Sequence, residues 1–148
     1  MELGVATRAD LPRLVELLGL LFEQEHELSP DPAKQRRALE LILADPSRAR
    51  IYVAREAGAA IAMAALHFTT STAEGGKVAG LEDCVVHPGR RGQGVGGKLL
   101  AYVLEQARAE GALRVMLLTD GDNVRAQALY RKLGFEPSQM LAMRLRLR

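Results

Sequence analysis

Two hydrophobic rhythms divide the chain. Leu3 and Val5 alternate with Gly4 and Ala6, which predicts a short first strand. Leu11, Leu14, Leu18, Leu21 and Phe22 then recur at helical spacing, with Asp10 placed to cap the helix. Ser29-Pro30-Asp31-Pro32 interrupts it, and Leu39, Ile42 and Leu43 predict a second helix running up to Asp45-Pro46. Strand signals follow. Ile51 to Arg55 and Ala59 to Thr70 predict a hairpin about Ala57-Gly58, and Val78 to Val86 a third strand after the polar turn Ser71 to Lys77. A glycine-rich segment leads into a helix with Leu99, Leu100, Val103, Leu104 and Ala107 on one face, ended by Gly111. Leu113 to Thr119 is an apolar run of the kind expected for a strand covered on both faces. Asp122 or Asn123 starts a last helix through Leu129, Tyr130 and Leu133, closed by Gly134. From Gln139 to Arg148, Leu141, Met143, Leu145 and Leu147 alternate with Ala142, Arg144, Arg146 and Arg148, which predicts a terminal strand. The order β-α-α-β-β-β-α-β-α-β is an α/β (α+β) architecture, a mixed central sheet flanked by helices on both faces.

Composition narrows what such a fold does. With 148 residues and no linker or repeat, residues 1–148 are expected to form a single domain. Twenty Lys plus Arg against eighteen Asp plus Glu leave +2, too little for nucleic-acid binding by bulk charge. The longest apolar run, Ala57 to Leu66, is too short for the ~20 residues that cross a bilayer. Met1 to Asp10 lacks the basic and apolar regions of a signal peptide, and one cysteine cannot form an internal disulfide. A cytoplasmic protein with no nucleic-acid or membrane partner is the expectation. His26, His67, His87 and Cys84 show no metal-ligand spacing, so no metal is expected.

Val86-His87-Pro88-Gly89-Arg90-Arg91-Gly92-Gln93-Gly94-Val95-Gly96-Gly97-Lys98 carries the strongest chemical signal. A strand enters a turn with five glycines, and the turn enters a helix. Glycine lets successive backbone N–H groups converge at a helix N-terminus, where the macrodipole also favours an anion. Gly97-Lys98 suggests a phosphate loop of the G-x-x-x-x-G-K-[ST] type, but Leu99 occupies the Ser/Thr position. A dinucleotide fingerprint forced from Gly92, Gly94 and Gly97 would fall late in the chain, after a strand meander. Arg91-Gly92-Gln93-Gly94-Val95-Gly96 resembles instead the Q/R-x-x-G-x-G/A segment of the GNAT superfamily, the acyl-CoA-dependent N-acetyltransferases. Asn123-Val124-Arg125-Ala126-Gln127-Ala128-Leu129-Tyr130-Arg131-Lys132-Leu133-Gly134-Phe135 resembles that family's second motif, N-x-x-A-x-x-L-Y-x-K-x-G-F, and Leu81 to Pro88 looks like the strand and exit turn before the first.

The resemblance implies a GNAT fold and acetyl-CoA as co-substrate. It places the pyrophosphate on the amides of Gly92, Gln93, Gly94, Val95, Gly96 and Gly97, with Arg91 as charge partner. It implies that the backbone of Cys84, Val85 and Val86 bonds the pantetheine arm and the thioester oxygen, and that Asn123 bonds the cofactor from the last helix. Tyr130 is implied as the general acid for the departing thiolate, a role that a phenol of pKa about 10 suits. Glu82 is implied as the base acting through water, with Asp83 the second carboxylate of the pair. A strand alternates faces, so both reach one cleft only if a bulge rotates one of them. Cys84 reads as a small hydrophobe rather than a nucleophile. The run Glu23-Gln24-Glu25-His26-Glu27-Leu28 approaches the acceptor site implied by the family and holds three carboxylates and no Lys or Arg. Glu23, Glu27, Asp83 and His67 are therefore expected at the acceptor, a small cationic amine such as a diamine, polyamine or lysine-like compound. Glu23 and Glu27 also fit a solvated helix end. Transfer to a protein lysine or N-terminus, or acyl-CoA sensing without turnover, are the alternatives. The terminal strand suggests edge pairing in a homodimer.

Overall fold

The computed structural model describes residues 1–25 and 27–148. A five-stranded sheet forms from β1 (Glu2–Val5), β2 (Ala49–Glu56), β3 (Ala59–Ser71), β4 (Gly76–Val86) and β5 (Val115–Leu117), in that spatial order. The first four strands pair antiparallel, and β5 joins β4 in parallel. A parallel pair needs a crossover, supplied by helix α3 (Val95–Ala109). Helices α1 (Leu11–Gln24) and α2 (Pro32–Ala44) precede β2, and α4 (Val124–Lys132) follows β5. Among the described residues no helix is long and apolar enough to cross a membrane.

The sheet is buried on both faces, which explains the unbroken apolar run of β3. Met63 and Ala65 point with Ile51 and Val53 toward Leu11, Leu14, Leu17 and Leu39 of α1 and α2. Ala62, Ala64 and Leu66 point with Tyr52 and Leu81 toward Leu99, Leu100 and Val103 of α3, with Leu129 and Leu133 of α4 alongside. Alanines on both sides of β3 let the helices approach closely in a chain without tryptophan.

Three expectations need correction. Asp10 stands at the start of α1, but its carboxylate does not cap that helix. It accepts from Thr7 N–H at 2.8 Å and from Arg55 Nη2 at 2.5 Å, closing the preceding turn and pinning it to β2. The strand expected over Leu113 to Thr119 shrinks to three residues, and only one of its faces is covered: Met116 is 41% exposed and Leu118 80%. The terminal strand does not form. Residues 136–148 have no regular structure, and Met140, Leu141, Met143, Leu145 and Leu147 are 81–94% exposed. Alternation selects which side chains share a face, but a strand also needs a ladder partner, and β5 pairs only with β4.

Candidate active site

The cleft begins where two strands part. β5 pairs with β4 only through Ala79↔Val115, Gly80↔Met116 and Leu81↔Leu117. β4 continues to Val86 with no ladder partner on that side, so its backbone from Glu82 onward faces open space. At the same point β4 bulges. Met63 pairs with Val85 and Ala65 with Glu82, so Asp83 and Cys84 together oppose Ala64. Asp83 absorbs the extra residue with φ of +56°, in the left-handed region that Asp tolerates better than most residues. The bulge brings both consecutive carboxylates to the cleft, where Glu82 and Asp83 each form part of the wall.

The cleft holds about 1390 Å³ and runs from the glycine turn to the end of α1. At the turn, Gly92 and Gly94 adopt φ of +77° and +79°, and Gly94 is the residue from which α3 starts. The N–H groups of the first helical turn have no acceptor within the helix. Gly92, Gly94, Val95, Gly96 and Gly97 all line the cleft there. Gln93 does not, so its side chain plays no part in that wall. Arg91 is held by its Nε–H, which donates to Val86 O at 3.2 Å, and by the Gln24 amide oxygen, which accepts at 2.7 Å in the orientation its neighbours favour. His87 Nδ1 accepts from Gly89 N–H at 3.1 Å, a structural role within the exit turn.

The sequence reading missed further cations at this end. Arg125 Nη2 lies 3.8 Å from where a Cβ on Gly92 would stand, so its guanidinium leans over the turn. Lys98 and Lys132 also line the cleft. Their signal was present in the helix periodicity, since Arg125 and Lys132 lie two turns apart on α4. Asn123 lines the cleft too, and its side-chain oxygen caps α4 by accepting from Ala126 N–H at 3.2 Å.

Tyr130 faces β4 across the cleft near the Cys84 sulfur, which itself points to Glu82 O at 3.9 Å. Burial, the Cys84 sulfur and the charge of Glu25 together raise its pKa above the ordinary phenol value, so it stays protonated. Phe135 packs edge-on against the ring at 5.9 Å. Burial, reinforced by Asp83, pushes the Cys84 thiol up to about 12 against the opposing effect of the Tyr130 hydrogen bond. A thiol so protonated is a poor nucleophile. Asp83 is raised to about 6, first by burial and then by Glu82, with His67 pulling the other way.

At the end of the cleft beside α1, Glu25 and Glu27 line the wall and Glu23 does not; Glu23 is a solvated residue of α1. Glu27 pairs with Arg144 of the C-terminal segment at 3.1 Å, and Arg144 lines the cleft beside it. His67 is not in the cleft wall, contrary to its expected place at the acceptor. It sits behind Glu82, with Nε2 at 3.5 Å from Glu82 Oε2. His26 lies outside the described residues. Among the described residues no group of three His, Cys, Asp or Glu side chains could hold a metal ion.

Comparison with known proteins agrees with this geometry. A family model described as the acetyltransferase (GNAT) family matches residues 11–135. The chain is 30% identical over 140 residues to glucosamine 6-phosphate N-acetyltransferase of Trypanosoma brucei brucei, covering 91% of this chain and 88% of that protein. Over 52 residues it is 46% identical to mycothiol acetyltransferase of Beutenbergia cavernae, a match spanning 35% of this chain but only 18% of that longer protein. Among solved structures, a putative acetyltransferase from Agrobacterium tumefaciens superposes with a TM-score of 0.82 at 29% identity, covering 99% of both chains.

Proposed function

The chain belongs to the GNAT acetyltransferase family, and we propose that it moves an acetyl group from acetyl-CoA directly to a primary amine bound in the same cleft. The observation that carries this reading is the parting of β4 from β5 beyond Leu81, between an anion-binding turn at one end and Tyr130 at the other. An extended thioester arm laid in that gap completes the ladder that β5 leaves open. The pyrophosphate then rests on the backbone of residues 92–97, with Arg91 and Arg125 as charge partners.

Direct transfer asks four things of this chain. A backbone N–H of Cys84, Val85 or Val86 donates to the carbonyl oxygen as negative charge develops there. The amine loses a proton, which Glu82 receives through water. The N–C bond forms as the C–S bond breaks, and Tyr130 gives its proton to the departing thiolate. Asp83, Glu25 and Glu27 hold the ammonium that does not react.

This placement of carboxylates supports a small cationic acceptor, such as a diamine, polyamine or lysine-like compound. An amino sugar phosphate is a second reading, favoured by Arg144 in the cleft wall and by the likeness to glucosamine 6-phosphate N-acetyltransferase. Release of free CoA thiol over an amine panel tests both. Turnover of diamines or polyamines above glucosamine 6-phosphate supports the first. The reverse order supports the second, and acetyl-CoA binding without turnover of any amine, or of a lysine peptide, leaves only a sensor. Acetyl-CoA as substrate points to a cytoplasmic setting, and the exposed apolar stripe of the C-terminal segment supports a homodimer.

A further inference from the structure

The reacting end of the cleft opens into a second space. Between β4, α3 and α4 lies an apolar cavity of about 120 Å³. Its far wall is Leu99 and Leu100 of α3, which are 2–3% exposed and line the cavity but not the cleft. Its near wall is shared with the cleft through Cys84, Val86, Leu129 and Tyr130. Two small residues leave the room. Gly96 has no Cβ to stand 3.3 Å from Val86 Cγ2, and Ala126 presents one methyl a turn before Tyr130. The side chains around it are apolar apart from the Tyr130 hydroxyl and the Cys84 sulfur at the entrance. A water would need two to four polar partners that this wall does not offer, so the space suits carbon.

We propose that this cavity is an acyl pocket and that the protein takes acyl groups longer than acetyl from their CoA thioesters. The inference rests on the acyl-CoA reading of the cleft and adds to it the chain length of the donor. In that reading Tyr130 and Cys84 stand beside the thioester sulfur, and the cavity starts between those side chains. A chain leaving the carbonyl carbon therefore has one dry direction to follow. An apolar cavity of about 150 Å³ accepts the six carbons of benzene. A cavity of about 120 Å³ accordingly holds about four or five carbons. The acetyl methyl fills one of those places. Transfer balances as for acetyl: the N–C bond forms, the C–S bond breaks, and the thiolate takes the Tyr130 proton.

Calorimetric titration of the wild-type protein with CoA, acetyl-CoA, propionyl-CoA, butyryl-CoA and octanoyl-CoA tests this without knowledge of the acceptor. Affinity should rise about three- to fourfold per methylene from acetyl to butyryl, and fall again at octanoyl, whose chain exceeds the space. Leu99→Phe, which adds bulk to the far wall, should abolish the rise while free CoA binds as before. Affinity that is flat or falls from acetyl to butyryl overturns the acyl pocket, whether or not the variant folds. Failure of free CoA and every thioester to bind overturns instead the acyl-CoA reading on which it rests.

Discussion

At Tyr130 the environment favours the proton donor that thioester chemistry needs. A buried phenol beside the Cys84 sulfur and near the Glu25 carboxylate keeps its proton at any ordinary pH, so in the proposed reaction the proton is present when the thiolate forms. Tyr130→Phe should lower kcat about 10²-fold while leaving the dissociation constant of acetyl-CoA unchanged, because the ring and its packing on Phe135 remain. Single-turnover thiol release checks it, and an unchanged chemical step would reduce Tyr130 to packing. Asp83 gives a second expectation, in stability. Its carboxyl rises from 3.8 to about 6 in the fold, so between those values the native protein binds a proton that the unfolded chain has lost. Stability therefore falls as pH climbs through that window, and the cost, on the order of 1–3 kcal/mol, persists above it. Asp83→Asn should remove the cost, and Asn accepts φ of +56° as readily as Asp. Urea unfolding between pH 4 and 7.5 should show the variant more stable at the upper end and flatter across the window. Equal pH dependence in the two proteins would mean that Asp83 titrates normally. At this scale the candidate groups were legible in the sequence but not their orientation. Glu82 and Asp83 were legible as a pair, whereas the bulge that brings both to one cleft depends on the register against β3, where two residues oppose Ala64. Glu25 rather than Glu23 reaches the cleft because the chain leaves the helix after Gln24, and no periodicity marks that exit.

Among the elements, the turn into α3 was the most legible, because glycines crowded before a helix mark a turn at positive φ, which glycine adopts without strain at Gly92 and Gly94. Gly94 starts α3 at φ of +79°, and nothing lies within 4 Å of the Cβ it lacks. The constraint there is backbone conformation and access, not packing. Gly94→Val should cost about 1–2 kcal/mol of stability from the left-handed strain alone. It should also weaken acetyl-CoA binding at least tenfold, because a turn that relaxes its φ no longer aims its amides at the anion. Titration with acetyl-CoA alongside thermal unfolding separates the two effects, and a variant that loses stability but keeps its affinity would show that the pyrophosphate binds elsewhere. The strands at the far side of the sheet were less legible. Leu113 to Thr119 has the composition of a central strand, yet it lies at the edge and pairs over three residues. That shortness is what lets β4 and β5 part. The element that sequence pattern overestimates is thus the one whose brevity opens the site.

For the whole molecule, the spatial order of the strands follows the chain from β1 to β5 and leaves β5 as an open edge. An edge strand presents unpaired N–H and C=O groups, and a contiguous exposed apolar patch marks a surface that meets another. Residues 139–148 leave four apolar side chains, Leu141, Met143, Leu145 and Leu147, each at least 83% exposed. Within one copy this segment reaches the cleft through Ala142 and Arg144 but forms no ladder. We expect a second copy to meet both needs, since two-fold pairing would give each exposed apolar segment and each β5 edge a partner on the other chain. Equilibrium sedimentation in the low micromolar range should then report a dimer. Leu145→Glu combined with Leu147→Glu should shift it to monomer with little change in melting temperature, since neither side chain contributes to the core of its own chain. Arg144 directly precedes Leu145 and pairs with Glu27 at the α1 end of the cleft. The double variant should therefore raise the amine KM several-fold while the affinity for acetyl-CoA, held at the opposite end of the cleft, stays as it was. A wild-type protein that sediments as a monomer at tens of micromolar would remove the dimer and, with it, this route from assembly to acceptor binding.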